Sequence, residues 1–265
     1  KNISERKRTE MGLRMLSWDE IPYRERVKTS SGKKVLSLDD FHFKRGKVSI
    51  FHIPRLEIEG HSIVGVIGNN GVGKTTFISS LIGLLKYQGD VIVDNHKVKR
   101  KSLTQKGFLV MQDVNRQLFG STVSEEVSLG MKEMDENRVN ELLKEFHLEE
   151  LKSKHPAILS GGQKQRLAIA SAIYSRKQFL YFDEPTSGLD KQSMIAFSDT
   201  LLHIKDKAEC IFVITHDPEL LFSCADFILK LEDNHVYDYY PMDKSGIEKT
   251  KNYFYDAYVK GAVEC

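Results

Sequence analysis

The chain has 265 residues, 40% of them hydrophobic and 29% charged, with a formal net charge of +2. This is the balance of a globular protein with a sizeable core, in one large domain or two small ones, and not that of a whole-domain nucleic-acid binder. No run reaches the roughly 18 apolar residues of a membrane-spanning helix, so any membrane role is borrowed from another chain.

The three cysteines, Cys210, Cys224 and Cys265, are too few and too unevenly spaced for a disulfide framework and fit a reducing compartment. The N-terminus does not read as a signal peptide. Charge is unevenly spread. Residues 1–34 hold ten Lys/Arg against five Asp/Glu, a surplus of +5, and the remainder holds 29 against 32. This basic leader reads as a linker, with Met11, Met15 and Trp18 at the spacing of a short amphipathic helix.

From Val35 the texture changes. Val35–Leu38, Phe41–Phe43, Val48–Ile53 and Leu56–Ile58 alternate apolar and polar residues and predict short antiparallel strands. His61–Ile67 reads as a buried strand. It leads through a glycine-rich turn into a helix from Lys74 to about Leu85, followed by a strand at Val91–Val93. Phe108–Met111 reads as another strand. Helices are expected at Val123–Leu129, at Asn137–Leu148 (with Val139, Leu142, Leu143 and Phe146 on one face), and from Gly161 to about Ser175. Then strands at Phe179–Phe182, Cys210–Ile214 and Phe227–Leu231 alternate with helices at Lys191–Ile204 and Pro218–Ser223. That alternation implies βαβ units and a mostly parallel sheet. The tail from Met242 is polar but carries Tyr253, Phe254, Tyr255 and Tyr258, which predicts a helix packing on the body.

Gly68-Asn69-Asn70-Gly71-Val72-Gly73-Lys74-Thr75 matches G-x-x-x-x-G-K-[ST], with a strand before it and a helix after it. The glycines let backbone N–H groups turn inward around a phosphate, and the helix N-terminus adds about half a positive charge. Lys74 reaches the β- and γ-phosphates, Thr75 offers a hydroxyl to Mg²⁺, and Thr76 extends the phosphate-binding set. Further along, four apolar residues, Phe179 to Phe182, end in Asp183 and Glu184. A buried parallel strand delivers its last residues to the sheet edge where ligands bind. Asp183 is expected in the Mg²⁺ shell, and Glu184 is expected to orient or deprotonate an attacking water.

Leu159-Ser160-Gly161-Gly162-Gln163 stands at a predicted helix start. With the motifs above, in this order and spacing, the sequence resembles the nucleotide-binding domain of ATP-binding cassette (ABC) proteins over about residues 35–240. The resemblance implies an α/β fold of the P-loop NTPase class, with a mostly parallel core sheet, an N-terminal antiparallel β subdomain and an inserted α-helical subdomain at about residues 113–175, and residues 241–265 as a tail. It implies ATP and Mg²⁺ as ligands. Ser160, Gly161, Gly162 and Gln163 become the signature motif, which completes the ATP site of a facing cassette in a head-to-tail dimer. Gln112 resembles the Q-loop glutamine, near both Mg²⁺ and a transmembrane partner. Ser187-Gly188-Leu189-Asp190 resembles the D-loop, with Asp190 at the nucleotide interface, and His216 resembles the switch histidine. The catalytic set is then Glu184, His216, Lys74 and Gln112, and the metal set Thr75, Gln112 and Asp183. One position departs from the family pattern: the adenine-stacking aromatic is replaced by Arg45, with Phe43 the alternative if the register differs by two.

Gln117-Leu118-Phe119, Thr122-Val123 and Glu126-Val127, following Gln112, resemble the same region of energy-coupling-factor ATPases, which drive uptake of vitamins and metal ions through separate membrane subunits. The resemblance implies a peripheral protein on the cytoplasmic face of the membrane, partnered by a second ABC ATPase domain and by transmembrane subunits, with no nucleic acid. Position 1 is not Met, and together with the basic leader this fits the second half of a fused pair of cassettes. The competing class is a soluble, translation-factor-like ABC ATPase. The 84 residues between Thr75 and Ser160 leave no room for the coiled-coil insertion of chromosome-maintenance types.

Overall fold

The computed structural model of the chain describes residues 32–232 and 236–259. The helix expected around Met11, Met15 and Trp18 lies outside them.

Two sheets organise the described residues. The first is wholly antiparallel, in the order β2-β1-β4-β5: β1 (Lys34–Arg45), β2 (Val48–Glu59), β4 (Gln88–Val93) and β5 (His96–Lys97). The second has the order β10-β9-β3-β8-β7-β6: β3 (Ser62–Ile67), β6 (Gly107–Val110), β7 (Phe179–Asp183), β8 (Cys210–Ile214), β9 (Phe227–Glu232) and β10 (Val236–Pro241). Five of its strands are parallel, and only β10 pairs antiparallel, on β9.

Strand β7 shows how the parallel sheet is held. Phe179 and Tyr181 face one apolar cluster, and Leu180 and Phe182 face the other. The period of two puts an apolar residue on both faces, as a strand covered on both sides requires. The first cluster fills the space under the antiparallel sheet and α1 (Lys74–Leu81), where Phe41, Phe51 and Phe77 meet edge to face or stacked at 5.5–6.1 Å. The second joins the sheet to the helices between β6 and β7: α3 (Val123–Val127), α4 (Glu136–Glu145) and α5 (Gly161–Tyr174). Helix α6 (Lys191–Ile204) also packs there through Phe197 and Leu201. A third, smaller cluster seats α8 (Lys244–Val259) on β9, β10 and α7 (Pro218–Cys224), with Phe254 buried against them. The tail helix expected from its aromatics therefore docks on the body.

Several elements differ from the expectations. The four short strands are two strands of 12 residues, joined by a turn at Gly46, which has φ +62°. Asp39 pairs with Arg55 instead of ending a strand, and Pro54 is tolerated because β2 lies at the sheet edge. Helix α1 stops at Leu81, before Gly83 at φ +86°. The two-residue strand β5, helix α2 (Arg100–Lys106) and strand β10 were not expected. In α2 only Leu103 is buried, so the segment carries no apolar period to read.

Candidate active site

The parallel sheet delivers three chain segments to one edge. The loop from Gly68 to Gly73 leaves β3 and enters α1. Its shape requires glycine. At Gly68 (φ +153°) a Cβ would stand 2.6 Å from Leu231 O, and at Gly73 (φ +103°) one would stand 2.8 Å from Ile50 Cγ2. Lys74 is folded into this loop, its Nζ donating to Gly68 O at 2.8 Å and to Asn69 O at 3.2 Å. Burial holds its ammonium below the usual lysine range. No side chain among the described residues caps the start of α1, so its first N–H groups are left for an anion.

Asp183 ends β7, beside the first turn of α1. Thr75 Oγ1 donates to Asp183 Oδ2 at 3.4 Å, and burial raises the Asp183 carboxyl above its ordinary value. Glu184 follows in the left-handed region, at φ +47°. A non-glycine residue there costs about 1–3 kcal/mol and persists only where its surroundings hold it. They do so here: Glu184 N–H donates to Ile214 O at 2.9 Å, and Glu184 Oε2 accepts the His216 N–H at 3.3 Å. The ends of β7 and β8 are thus fastened together, with Asp183 in register with Ile214.

Burial pushes the Glu184 carboxyl up to about 7 and the His216 imidazole down to about 4, and the Lys74 charge adds to the second shift. At neutral pH His216 is therefore neutral, and its Nε2, 3.6 Å from Glu184 Oε1, is in contact and not in an ion pair. A carboxyl poised near 7 beside a neutral imidazole suits proton transfer from water at working pH.

These groups line one cleft of about 660 Å³, with Asn70, Gly71, Gly73, Lys74, Thr75, Thr76, Gln112, Asp183, Glu184, Ser187, Ile214 and His216 in its walls. Lys74, the glycine loop and the free α1 N–H groups fit a polyphosphate. Thr75, Asp183 and Gln112 offer the oxygen ligands that Mg²⁺ prefers. Ser187, from the D-loop segment, and Ile214, at the end of β8, also line the cleft, beyond the expected set.

Other expected residues lie elsewhere. Ser160 caps α5 through a reciprocal pair: its Oγ accepts the Gln163 N–H at 3.3 Å, and Gln163 Oε1 accepts the Ser160 N–H at 2.9 Å. Ser160 and Gly161 are exposed, and neither they, Gly162 nor Gln163 line the cleft. Asp190 caps α6, accepting the Ser193 N–H at 2.7 Å, and is also outside the walls. Arg45 is exposed on the β1–β2 hairpin, opposite Val48. Phe43 is half-buried and stacked on Phe51 at 6.2 Å.

The structure adds one residue whose work was not foreseen. Glu126 on α3 is buried, and its Oε2 accepts the N–H groups of Phe119 (2.7 Å) and Gly120 (2.6 Å), shaping the segment after Gln112. A second tie, Lys164 Nζ to Asn115 Oδ1 at 2.7 Å, joins that segment to the signature helix. Glu126 follows Glu125 in the sequence, and nothing in that pair tells which carboxylate turns inward or what it bonds.

Comparison with known proteins gives the chain a family. The family profile described as "ABC transporter" matches residues 51–187. A putative ABC transporter ATP-binding protein of Treponema denticola is 36% identical over 211 residues, which is 79% of this chain and 43% of that protein, so the chain spans less than half of that relative. The energy-coupling factor transporter ATP-binding protein EcfA1 of Thermotoga maritima is 33% identical over 207 residues, covering 76% of this chain and 80% of that one. The structure of cbiO1 from Clostridium perfringens, described as part of the ABC transporter complex cbiONQ, superposes with a TM-score of 0.73 at 25% identity, covering 86% of this chain and 95% of its own. No helix among the described residues is long and apolar enough to cross a membrane. By its family profile, its relatives and its α/β architecture, this chain belongs to the ABC transporter family, as an ATP-binding domain.

Proposed function

We propose that the chain hydrolyses ATP to power solute uptake, of a vitamin or a metal ion, through separate membrane subunits of the energy-coupling-factor type. The observation that carries the reading is the convergence of Lys74, the Thr75–Asp183 pair and the Glu184–His216 pair on one cleft, while the Ser160 signature faces solvent elsewhere. Similarity to EcfA1 and to cbiO1 supports the transport class.

The glycine loop and the α1 N-terminus bind the β- and γ-phosphates of ATP, and Lys74 leaves its backbone carbonyls to meet them. Thr75, Asp183 and Gln112 would hold Mg²⁺, which when bound neutralises phosphate charge. Glu184 accepts a proton from water, and His216, neutral and beside it, donates its ring N–H to the γ-phosphate. Ser160 to Gln163 face the nucleotide of a second cassette, so that ATP bridges the two halves and hydrolysis reopens them. Arg45 at the hairpin is the adenine contact, and Asp190 joins the dimer interface. The segment from Gln112 to Gly130, fastened by Glu126 and by Lys164, couples this motion to a membrane partner at the cytoplasmic face.

The test is phosphate release from Mg-ATP by the purified chain, with capture of membrane proteins on it as bait. Release that depends on Glu184, together with recovery of an integral membrane protein, is expected. Absence of release would remove the ATPase reading. Recovery of ribosomes in place of a membrane protein would remove the transport reading.

A further inference from the structure

The antiparallel sheet carries a second cluster of ligating groups, on the hairpin of β1 and β2 and away from the nucleotide cleft. His42 and His52 stand directly opposite each other in the β1–β2 register, so both rings lie on one face, with centroids 5.4 Å apart. Asp40 shares that face. It lies in the left-handed region, at φ +48°, where the pairing of β1 with β4 is interrupted between Asp39 and His42. A bulge of this kind re-aims a side chain. Asp40 Oδ1 is 2.8 Å from His52 Nε2 and 3.7 Å from His42 Nδ1, and one donor atom from each of the three residues lies within 4.8 Å of the others.

His42 faces acceptors at both ring nitrogens: the Asp40 carbonyl at Nδ1 (2.8 Å) and Gln88 Oε1 at Nε2. A neutral imidazole has one N–H. Metal binding at Nδ1 calls for the tautomer whose proton sits on Nε2 and is given to Gln88 Oε1. Donation of the outer ring N–H to an amide oxygen is the arrangement that fixes a metal-binding histidine in its tautomer. The Asp40 carboxylate, His42 Nδ1 and His52 Nε2 then converge, and a bound ion would take the place of the proton that His52 Nε2 now shares with Asp40 Oδ1 at 2.8 Å.

We propose that Asp40, His42 and His52 form a surface site for a divalent transition-metal ion of the zinc, cobalt or nickel class. Two imidazoles and one carboxylate select such ions over Mg²⁺ and Ca²⁺, which prefer all-oxygen ligands. Ligands at about 2.0–2.2 Å from one ion stand roughly 3.3–3.6 Å apart in a tetrahedral site, so small side-chain rotations that open the 2.8 Å pair and draw in the wider ones reach that spacing. Three protein ligands leave one position for water or for a group brought by a partner. A bound ion cross-links β1 to β2 beside the hairpin that carries Arg45.

The test uses the full chain, titrated with Zn²⁺ by calorimetry and with Co²⁺ by visible absorption, in excess Mg²⁺. One ion per chain is expected. Asp40→Asn, His42→Ala and His52→Ala should each weaken binding by at least about tenfold, and His96→Ala, an exposed histidine outside the cluster, should not. Asn is chosen at position 40 because it tolerates the left-handed backbone. Zn²⁺ should raise the thermal midpoint of the parent chain by mass action, with reversal by a chelator, and should leave the midpoint of His52→Ala unchanged. Equal metal affinity in the parent chain and the three cluster variants, or no binding by the parent, would overturn the site. Neither result bears on ATP hydrolysis, because none of these residues lines the nucleotide cleft.

Discussion

His216 holds Glu184 by its backbone and faces it by its side chain. The His216 N–H donates to Glu184 Oε2 at 3.3 Å, and His216 Nε2 stands 3.6 Å from Glu184 Oε1. The first contact survives any change of the imidazole and the second does not, so the two roles can be separated by substitution.

Glu184→Gln keeps the shape of the side chain and an oxygen for the His216 N–H, but removes the base. Nucleotide affinity is expected near the parent value, phosphate release should fall about 10²–10⁴-fold, and a closed dimer should accumulate with ATP. Single-turnover phosphate release and gel filtration measure both. Parent-like turnover would exclude Glu184 as the base.

His216→Ala removes the imidazole and leaves the backbone donor. Hydrolysis should fall while the fold and nucleotide affinity persist. A parallel loss of affinity would mean that His216 binds substrate in the ground state as well.

Lys74→Ala deletes a buried ammonium that bonds Gly68 O and Asn69 O. A charged hydrogen bond is worth about 1.5–3 kcal/mol, so the dissociation constant for a fluorescent ATP analogue should rise roughly 10–100-fold. An unchanged constant would place the phosphates elsewhere.

Ser160→Arg should leave single-chain nucleotide binding intact, because Ser160 is exposed and outside the cleft, yet abolish ATP-dependent dimerisation in the Glu184→Gln background. The lost helix cap costs about 1 kcal/mol of stability. Ser160→Asn, which keeps a cap, separates that cost from the interface effect.

Glu126→Ala leaves the Phe119 and Gly120 N–H groups without their acceptor and should lower unfolding stability by about 1–3 kcal/mol. Burial already raises the Glu126 carboxyl above its ordinary value. Glu126→Gln, which offers an oxygen without a charge to bury, should therefore be tolerated far better in urea unfolding. Equal losses would contradict the hydrogen-bonding role.

The linear chain already contained the glycine loop, the apolar strand ending in Asp183 and Glu184, and the signature helix. Each is written in contiguous residues whose period or turn chemistry has one local solution. Helix α6 (Lys191–Ile204) and strand β8 (Cys210–Ile214) follow the residue pattern to the end. Other features depend on distant partners. The pair Asp39-Asp40 reads locally as a break, but cross-strand pairing with β2 carries β1 through it, and the left-handed Asp40 turns its carboxylate to two histidines. Strand β10 is rich in Val and Tyr, and what the tertiary structure adds is its antiparallel place at the edge of β9. Glu184 and His216, 32 residues apart, meet because β7 and β8 are parallel and in register. The perturbed protonation of both groups is a property of their burial, which no local pattern encodes.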